Sequence, residues 1–349
     1  MKRAMTSKER FHATIERRQV DRPAWWMGAP VTAAVKPLCD YFKARDLHDL
    51  QMKVGDDVWT VEVPYDNPPS NHVACAFNFA KAREYHERTL TAPGFFDGVR
   101  DPARVGDFRW PDPRKHMKAE ACRAAASAAP ADRAKMVLMW SCHFQDACAA
   151  FGMEDALVAM LESPAMFRAV IDRITEFYLQ ANKIFLDAAG DLVDAVLIGN
   201  DFGCQTGLMV NPDQIREHAL PGTRKLIAQV KSYGVKVVHH SCGSVRPIIG
   251  DIVAAGADAI HPIQALAAGM AAEELAKEFG GKASFCGGVD VQELMVHGSP
   301  ADVYKRVKRL IELFPTGLVI SPSHEAVLPD VPPANVDAMR RAVLGMQCG

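Results

Sequence analysis

The chain has 349 residues, 49% of them apolar and 23% charged, which suits a soluble globular protein with a sizeable core. Forty Lys and Arg against 42 Asp and Glu leave a formal net charge of −2 with no long basic block, which argues against nucleic acid and anionic membrane surfaces as partners. No apolar run reaches bilayer length, the charged start lacks the apolar core of a signal peptide, and nine scattered cysteines show no disulfide framework, so a cytoplasmic protein with reduced thiols is expected.

In chain order, Thr6-Ser7-Lys8-Glu9 fits a capping box that opens a helix over residues 7–17, stopped by Asp21-Arg22-Pro23. Ala24-Trp25-Trp26-Met27-Gly28 reads as a first strand, and residues 57–64 alternate as a second. Helices are expected over 33–43 and 47–54. Residues 65–114 are broken by six prolines into a loop-rich excursion, either a lid or dimerisation arm or a plain surface insertion. Further on, apolar strands at 136–140, 195–199, 236–238, 257–260, 283–285 and 317–320 alternate with helices at 118–129, 153–161, 166–189, 212–232, 245–255, 271–278, 301–313 and 333–344. Eight strands alternating with helices, the later ones continuous apolar runs, predict parallel strands buried on both faces. A single closed α/β (β/α)8 barrel over residues 1–349 is the natural solution. An open doubly wound sheet competes, but no glycine-rich phosphate fingerprint follows the first strand.

The active site of such a barrel lies at the carboxyl ends of its strands. Those ends read Ser141 and His143, Asn200 and Asp201, His240 and Cys242, His261 and Gln264, Cys286 and Asp290, and His324 and Glu325. In an extended strand residues i and i+2 share a face, so His240 and Cys242 reach one metal from one side, and imidazole with thiolate suits zinc. The bland alternative is that such residues only pack or hydrogen-bond locally, as buried Cys and strand-end His often do. Catalytic zinc takes three protein ligands and one open position, and both His324 and Cys286 are candidates for the third.

The runs Asn200-Asp201-Phe202-Gly203, His240-Ser241-Cys242-Gly243, His261-Pro262-Ile263-Gln264, Gly287-Gly288-Val289-Asp290 and Ser321-Pro322-Ser323-His324 resemble the uroporphyrinogen decarboxylase superfamily over nearly the whole chain. The resemblance implies a (β/α)8 barrel and one of two chemistries: metal-free decarboxylation, or methyl transfer to or from a corrinoid protein at a zinc site. Trp25-Trp26-Met27-Gly28 stands where the decarboxylases carry an arginine-rich carboxylate clamp. His240-Ser241-Cys242 matches the zinc motif of the methyltransferase branch, and His324 stands near the place of that branch's last-strand Cys.

The expectation is therefore a zinc-dependent methyltransferase with ligands His240, Cys242 and His324, Cys286 being the alternative third. It implies a small-molecule substrate and methyl-cobalamin carried by a corrinoid partner protein, with a homodimer left open. Asp201, His143 and Asp290 are the candidate catalytic groups. Asn200, Gln205, His261, Gln264, Trp26 and Tyr65 are the candidates for substrate binding. A metal-free decarboxylase using Asp201 or Asp290, and a barrel that binds a ligand or a corrinoid protein without turnover, are the rivals.

Overall fold

The computed structural model describes residues 4–68, 71–80 and 92–347. Its strands are β1 (Ala29–Pro30), β2 (Val58–Glu62), β3 (Ala134–Trp140), β4 (Ala195–Gly199), β5 (Lys236–His240), β6 (Ala259–Ile263), β7 (Phe285–Val289), β8 (Leu318–Pro322) and β9 (Ala326–Val327). Strands β2 to β8 form one parallel sheet in sequence order, and β1 pairs with β9. Helices lie in every connection of the large sheet, so all its carboxyl ends point one way.

Alternation along the strands separates two cores. Val237, Phe285, Leu318 and Ile320 pack with the helices, whereas Val238, Cys286 and Val319 join Met136, Leu138 and Leu197 in an inner cluster. The sheet curls around that inner cluster, which Trp26 and the helix residues Phe11 and Ile15 complete. Burial on both faces explains why β4, β6, β7 and β8 are buried at every position.

The expected first strand, residues 24–28, does not form a ladder. Trp25 bridges Ile320 of β8, with Trp26 N donating to Ile320 O and Ile320 N donating to Ala24 O, both at 2.9 Å. On its other side Trp25 O accepts from Asp57 N at 3.0 Å, just before β2. Pro23 has no N–H to offer, and Gly28 turns the chain at φ +93° where a Cβ would lie 2.7 Å from Glu325 O. The stretch between them is too short for more.

Asp57 holds this segment in place. Its buried carboxylate accepts from Arg10 Nη1 at 2.7 Å, Arg22 Nη1 at 2.6 Å, Arg22 Nη2 at 3.0 Å and Trp25 N at 3.1 Å. Arg10 is supplied by the helix Ser7–Ile15, whose Thr6/Glu9 capping box is formed as the sequence implies.

Four further differences from the sequence reading stand out. Strands β5, β6 and β7 run on to His240, Ile263 and Val289, because pairing with both neighbours outweighs the weak strand preference of His, Pro and Gly. A helix unforeseen in the sequence, His143–Phe151, follows β3 at once without a side-chain cap to announce it. The helical run 212–232 contains a π-turn at Ile215–Ala219. The excursion, of which residues 69–70 and 81–91 lie outside the described residues, is packed rather than loose: Phe77 meets Phe177 of the long helix Pro164–Ala189 at 4.7 Å, and Phe108 meets Trp110 at 4.9 Å. Among the described residues, no helix is long and apolar enough to cross a membrane.

Removing Asp57 leaves two guanidinium groups without their buried counter-ion. Asp57→Ala is expected to cost roughly 3–5 kcal/mol in chemical denaturation, the usual result of breaking a buried pair from one side. A loss under about 1 kcal/mol would deny Asp57 this role.

Candidate active site

The site is built on the register of three strands. His240 at the end of β5 is paired with Gly199 on β4 and His261 on β6. The β4 and β5 backbones approach so closely that a Cβ on Gly199 would lie 1.9 Å from His240 O, so no other residue fits there. The next residues continue the contact: Asn200 N donates to His240 O at 3.0 Å, and Ser241 N to His261 O at 2.7 Å. Asp201, His240, Cys242 and His261 thus arrive together.

Asp201 Oδ1 accepts from Cys242 N at 2.9 Å and lies 3.2 Å from His240 Nε2. Cys242 Sγ is 3.3 Å from the same nitrogen. Gln145, on the unforeseen helix, holds the other Asp201 oxygen at 2.8 Å. On the far side of the ring, His240 Nδ1 is 2.9 Å from His261 Nδ1 and 3.7 Å from Glu325 Oε2. The Trp140 ring stands edge-on to His240 at 5.3 Å, held by left-handed backbone at Trp140 and Ser141.

The charges follow from these contacts. Burial would raise the Asp201 pKa, but the His240 ring and the Cys242 N–H outweigh it and hold the carboxyl at about 2. Burial opposes charge on His240, yet the Cys242 sulfur and Asp201 carry its pKa well above the ordinary value. His261 is driven well below, by burial and by the neighbouring His240 and His324. His261 is therefore neutral and accepts the Nδ1 proton of His240.

Asp201, His240 and Cys242 offer donor atoms all within 4.8 Å of one another. A tetrahedral zinc with bonds of about 2.0–2.3 Å sets N···S near about 3.5 Å and N···O near about 3.3 Å, close to the spacings here. The remaining His240 nitrogen meets His261 and Glu325, the outer hydrogen-bonding that a metal-bound imidazole needs. The residues fit a zinc ion.

The third donor brought to His240 and Cys242 is Asp201. His324 stands beside this group: its pKa is raised foremost by a hydrogen bond to Cys242, and its ring lies 6.5 Å from that of His240. Cys286, the alternative, is not brought to the cluster. It is 4% exposed in the inner core, 3.2 Å from Ser321 Oγ, with burial pushing its thiol up to about 12.

The other expected residues divide between structural roles and places beside the cluster. His143 is buried, with Nε2 2.9 Å from Ala219 O and Nδ1 3.2 Å from Asn200 Nδ2, so both nitrogens serve packing rather than proton transfer. Asn200 also accepts from Phe144 N at 2.7 Å and ties β4 to that helix. Asp290 Oδ2 accepts from Glu293 N and Leu294 N, both at 2.8 Å, and serves as a turn cap. Tyr65, three residues beyond β2, packs on His116 at 5.1 Å and on Phe177 of the long helix at 6.4 Å. Trp26 is buried against His261 at 5.5 Å. Gln264 accepts from Gly243 N at 2.6 Å, and exposed Gln205 reaches Gln292 at 3.5 Å. Gln145 and Trp140 escaped the sequence reading because nothing in their local pattern marks them. Glu325 was visible as a strand-end acid without an evident role.

Beside His324 opens a cavity of about 380 Å³ lined by Gln264, Val291, Gln292, Val296, Ser323, Leu328, Asp330 and Val331 among others.

The sequence model of the URO-D family, uroporphyrinogen decarboxylase, matches residues 6–345. Among curated proteins none matches significantly. A solved methyltransferase from Methanosarcina mazei is similar in fold, with TM-score 0.70 and 17% identity over 98% of this chain and 99% of that one. A Xanthomonas albilineans dihydropteroate synthase with 4-aminobenzoic acid gives TM-score 0.30 and 19% identity over 47% of this chain and 58% of that one.

In metal-free protein the Asp201–His240 pair has a definite signature. The His240 pKa is raised, so its imidazolium persists at pH 7; the stabilisation is complete below the ordinary value and fades as pH rises through the raised one. The Asp201 contribution is present above its ordinary pKa and lost as pH falls through about 2. Imidazole-nitrogen NMR is expected to show His240 protonated at neutral pH, with Asp201→Asn moving its titration downward. An unmoved titration would refute the pairing.

Proposed function

Because this chain belongs to the uroporphyrinogen decarboxylase family, we propose that it is a zinc-dependent methyltransferase of that family. It would move a methyl group between a small molecule and the methyl-cobalamin of a corrinoid partner protein, in the cytoplasm. On this reading the Trp25 segment is the eighth stave of a closed barrel, supported by its hydrogen bonds to both edges of the sheet. The observation that carries the proposal is the triangle of imidazole, thiol and carboxylate at one mouth. The likeness in fold to the Methanosarcina mazei methyltransferase supports the same branch.

His240 Nε2, Cys242 Sγ and Asp201 Oδ1 would hold the metal, with His324 next to Cys242 to take or give a proton. A bound zinc would lower the pKa of a coordinated donor atom and keep it nucleophilic at neutral pH. His261 and Glu325 orient His240 from behind, Gln145 fixes the second Asp201 oxygen, and the Trp140 edge covers the imidazole.

Decarboxylation of a porphyrinogen is disfavoured by the placement of arginine. Several anionic arms need convergent cations to offset their lost hydration. Arg22 is committed to Asp57 beyond the opposite ends of the strands, and Arg246 to Glu274 and Glu278.

Purified protein is expected to hold close to one zinc per chain by elemental analysis, with Cys242→Ser and Asp201→Ala each losing most of it. Zinc retained by Asp201→Ala but lost by His324→Ala would make His324 the third ligand. Near-zero metal with no uptake on adding zinc would leave metal-free catalysis or simple binding.

With uroporphyrinogen as substrate, no coproporphyrinogen is expected above background. Robust conversion would place the chain among the true decarboxylases.

A further inference from the structure

We propose that the cavity beside His324 binds an uncharged small molecule with an apolar body and a hydrogen-bond acceptor, and rejects anionic counterparts. This substrate class rests on the reading of the mouth as a methyl-transfer site. The volume of about 380 Å³ lies within the range of small-ligand pockets. It opens between the ends of β6, β7 and β8, with His324 in its wall and Cys242 just beyond.

The uncharged polar side chains Gln264, Gln292 and Ser323 of the lining keep donors to offer. Gln264 Oε1 is taken by Gly243 N at 2.6 Å, which leaves its amide N–H groups to face a ligand. Gln292 Oε1 is turned to Gln205 Nε2 at 3.5 Å, leaving the Gln292 amide nitrogen likewise. Ser323 Oγ accepts from Val291 N at 3.2 Å, so its own proton is left to donate. Donors of this kind select a ligand with an ether, hydroxyl or carbonyl oxygen.

Charge selects further. Among the described residues the lining contains no Lys or Arg, and its carboxylate is Asp330. His324 is already engaged, with Nδ1 accepting from Ala326 N at 3.1 Å and lying 3.6 Å from Glu325 Oε2. An anion entering here would give up its hydration to face Asp330 without a cation of its own. The apolar walls Val296, Leu328 and Val331 supply a surface for a hydrocarbon body, and Leu328 is exposed for want of one.

Calorimetry with 2-methoxyphenol and with 4-hydroxy-3-methoxybenzoate, its carboxylated counterpart, tests the proposal. The neutral probe is expected to bind at least tenfold more tightly. Asp330→Lys, at an exposed position, is expected to close most of that gap by improving the carboxylate. Val296→Phe is expected to abolish binding of the neutral probe while thermal unfolding shows an intact fold. Cys242→Ser, even if stripped of metal, is expected to keep it, so loss of the metal reading and loss of the pocket reading are separable. Equal or tighter binding of the carboxylate, no binding of either probe, or binding unaffected by Val296→Phe would overturn the proposal.

Discussion

The approach of β4 to β5 at Gly199 is the constraint on which the site depends. With no side chain there, the carbonyl of His240 takes the space a Cβ would need and bonds to Asn200 N. That one contact sets the level at which both strands end. Asp201 then falls opposite His240 and Cys242, close enough for its carboxylate to reach both. The parallel register passes the same level on to His261, and the β6 ring meets the β5 ring nitrogen to nitrogen.

The cluster is costly to bury and is arranged to offset that cost. A charged His240 ring sits between an anionic Asp201 and a neutral His261, with Glu325 behind. Each group is stabilised in its state by the next, so the pKa shifts run in opposite directions within a few ångströms. The same geometry suits a cation in place of the His240 proton. A metal ion would attract Asp201 and Cys242 as the imidazolium does, while Nδ1 keeps its partner.

At the other end of the strands a second charged network serves the fold. Arg10, Arg22 and Asp57 pin the Trp25 segment against both edges of the sheet. The two ends divide the work: arginine and carboxylate hold the sheet at its base, while imidazole, thiol and carboxylate gather at its mouth. This division explains why arginine near the start of the chain does not become a carboxylate clamp.

The sequence by itself determined the alternation of strands and helices, the capping box at Thr6 and the His240/Cys242 pair. These are written in local periodicity and in i to i+2 spacing, which need no partner strand to be read. It also placed Asp201, His261 and Gln264 at strand ends, since each follows an apolar run. Only the tertiary structure decided which strand-end residues face one another. His143, Asn200 and Asp290 have the same local pattern as Asp201 but bond elsewhere: His143 to Ala219 O in the helical run after β4, Asn200 to Phe144 N on the helix after β3, and Asp290 to Leu294 N just beyond β7. Cys286 points into the inner core, because its position along β7 turns it to the same face as Val319 of β8. Gln145 and Trp140 reach the cluster through a helix without a cap and a left-handed turn, neither of which leaves a mark in the order of residues. Asp201 meets His240 and Cys242 in the same way: it follows β4, the strand adjoining β5, and adjacency in a sheet is a property of pairing.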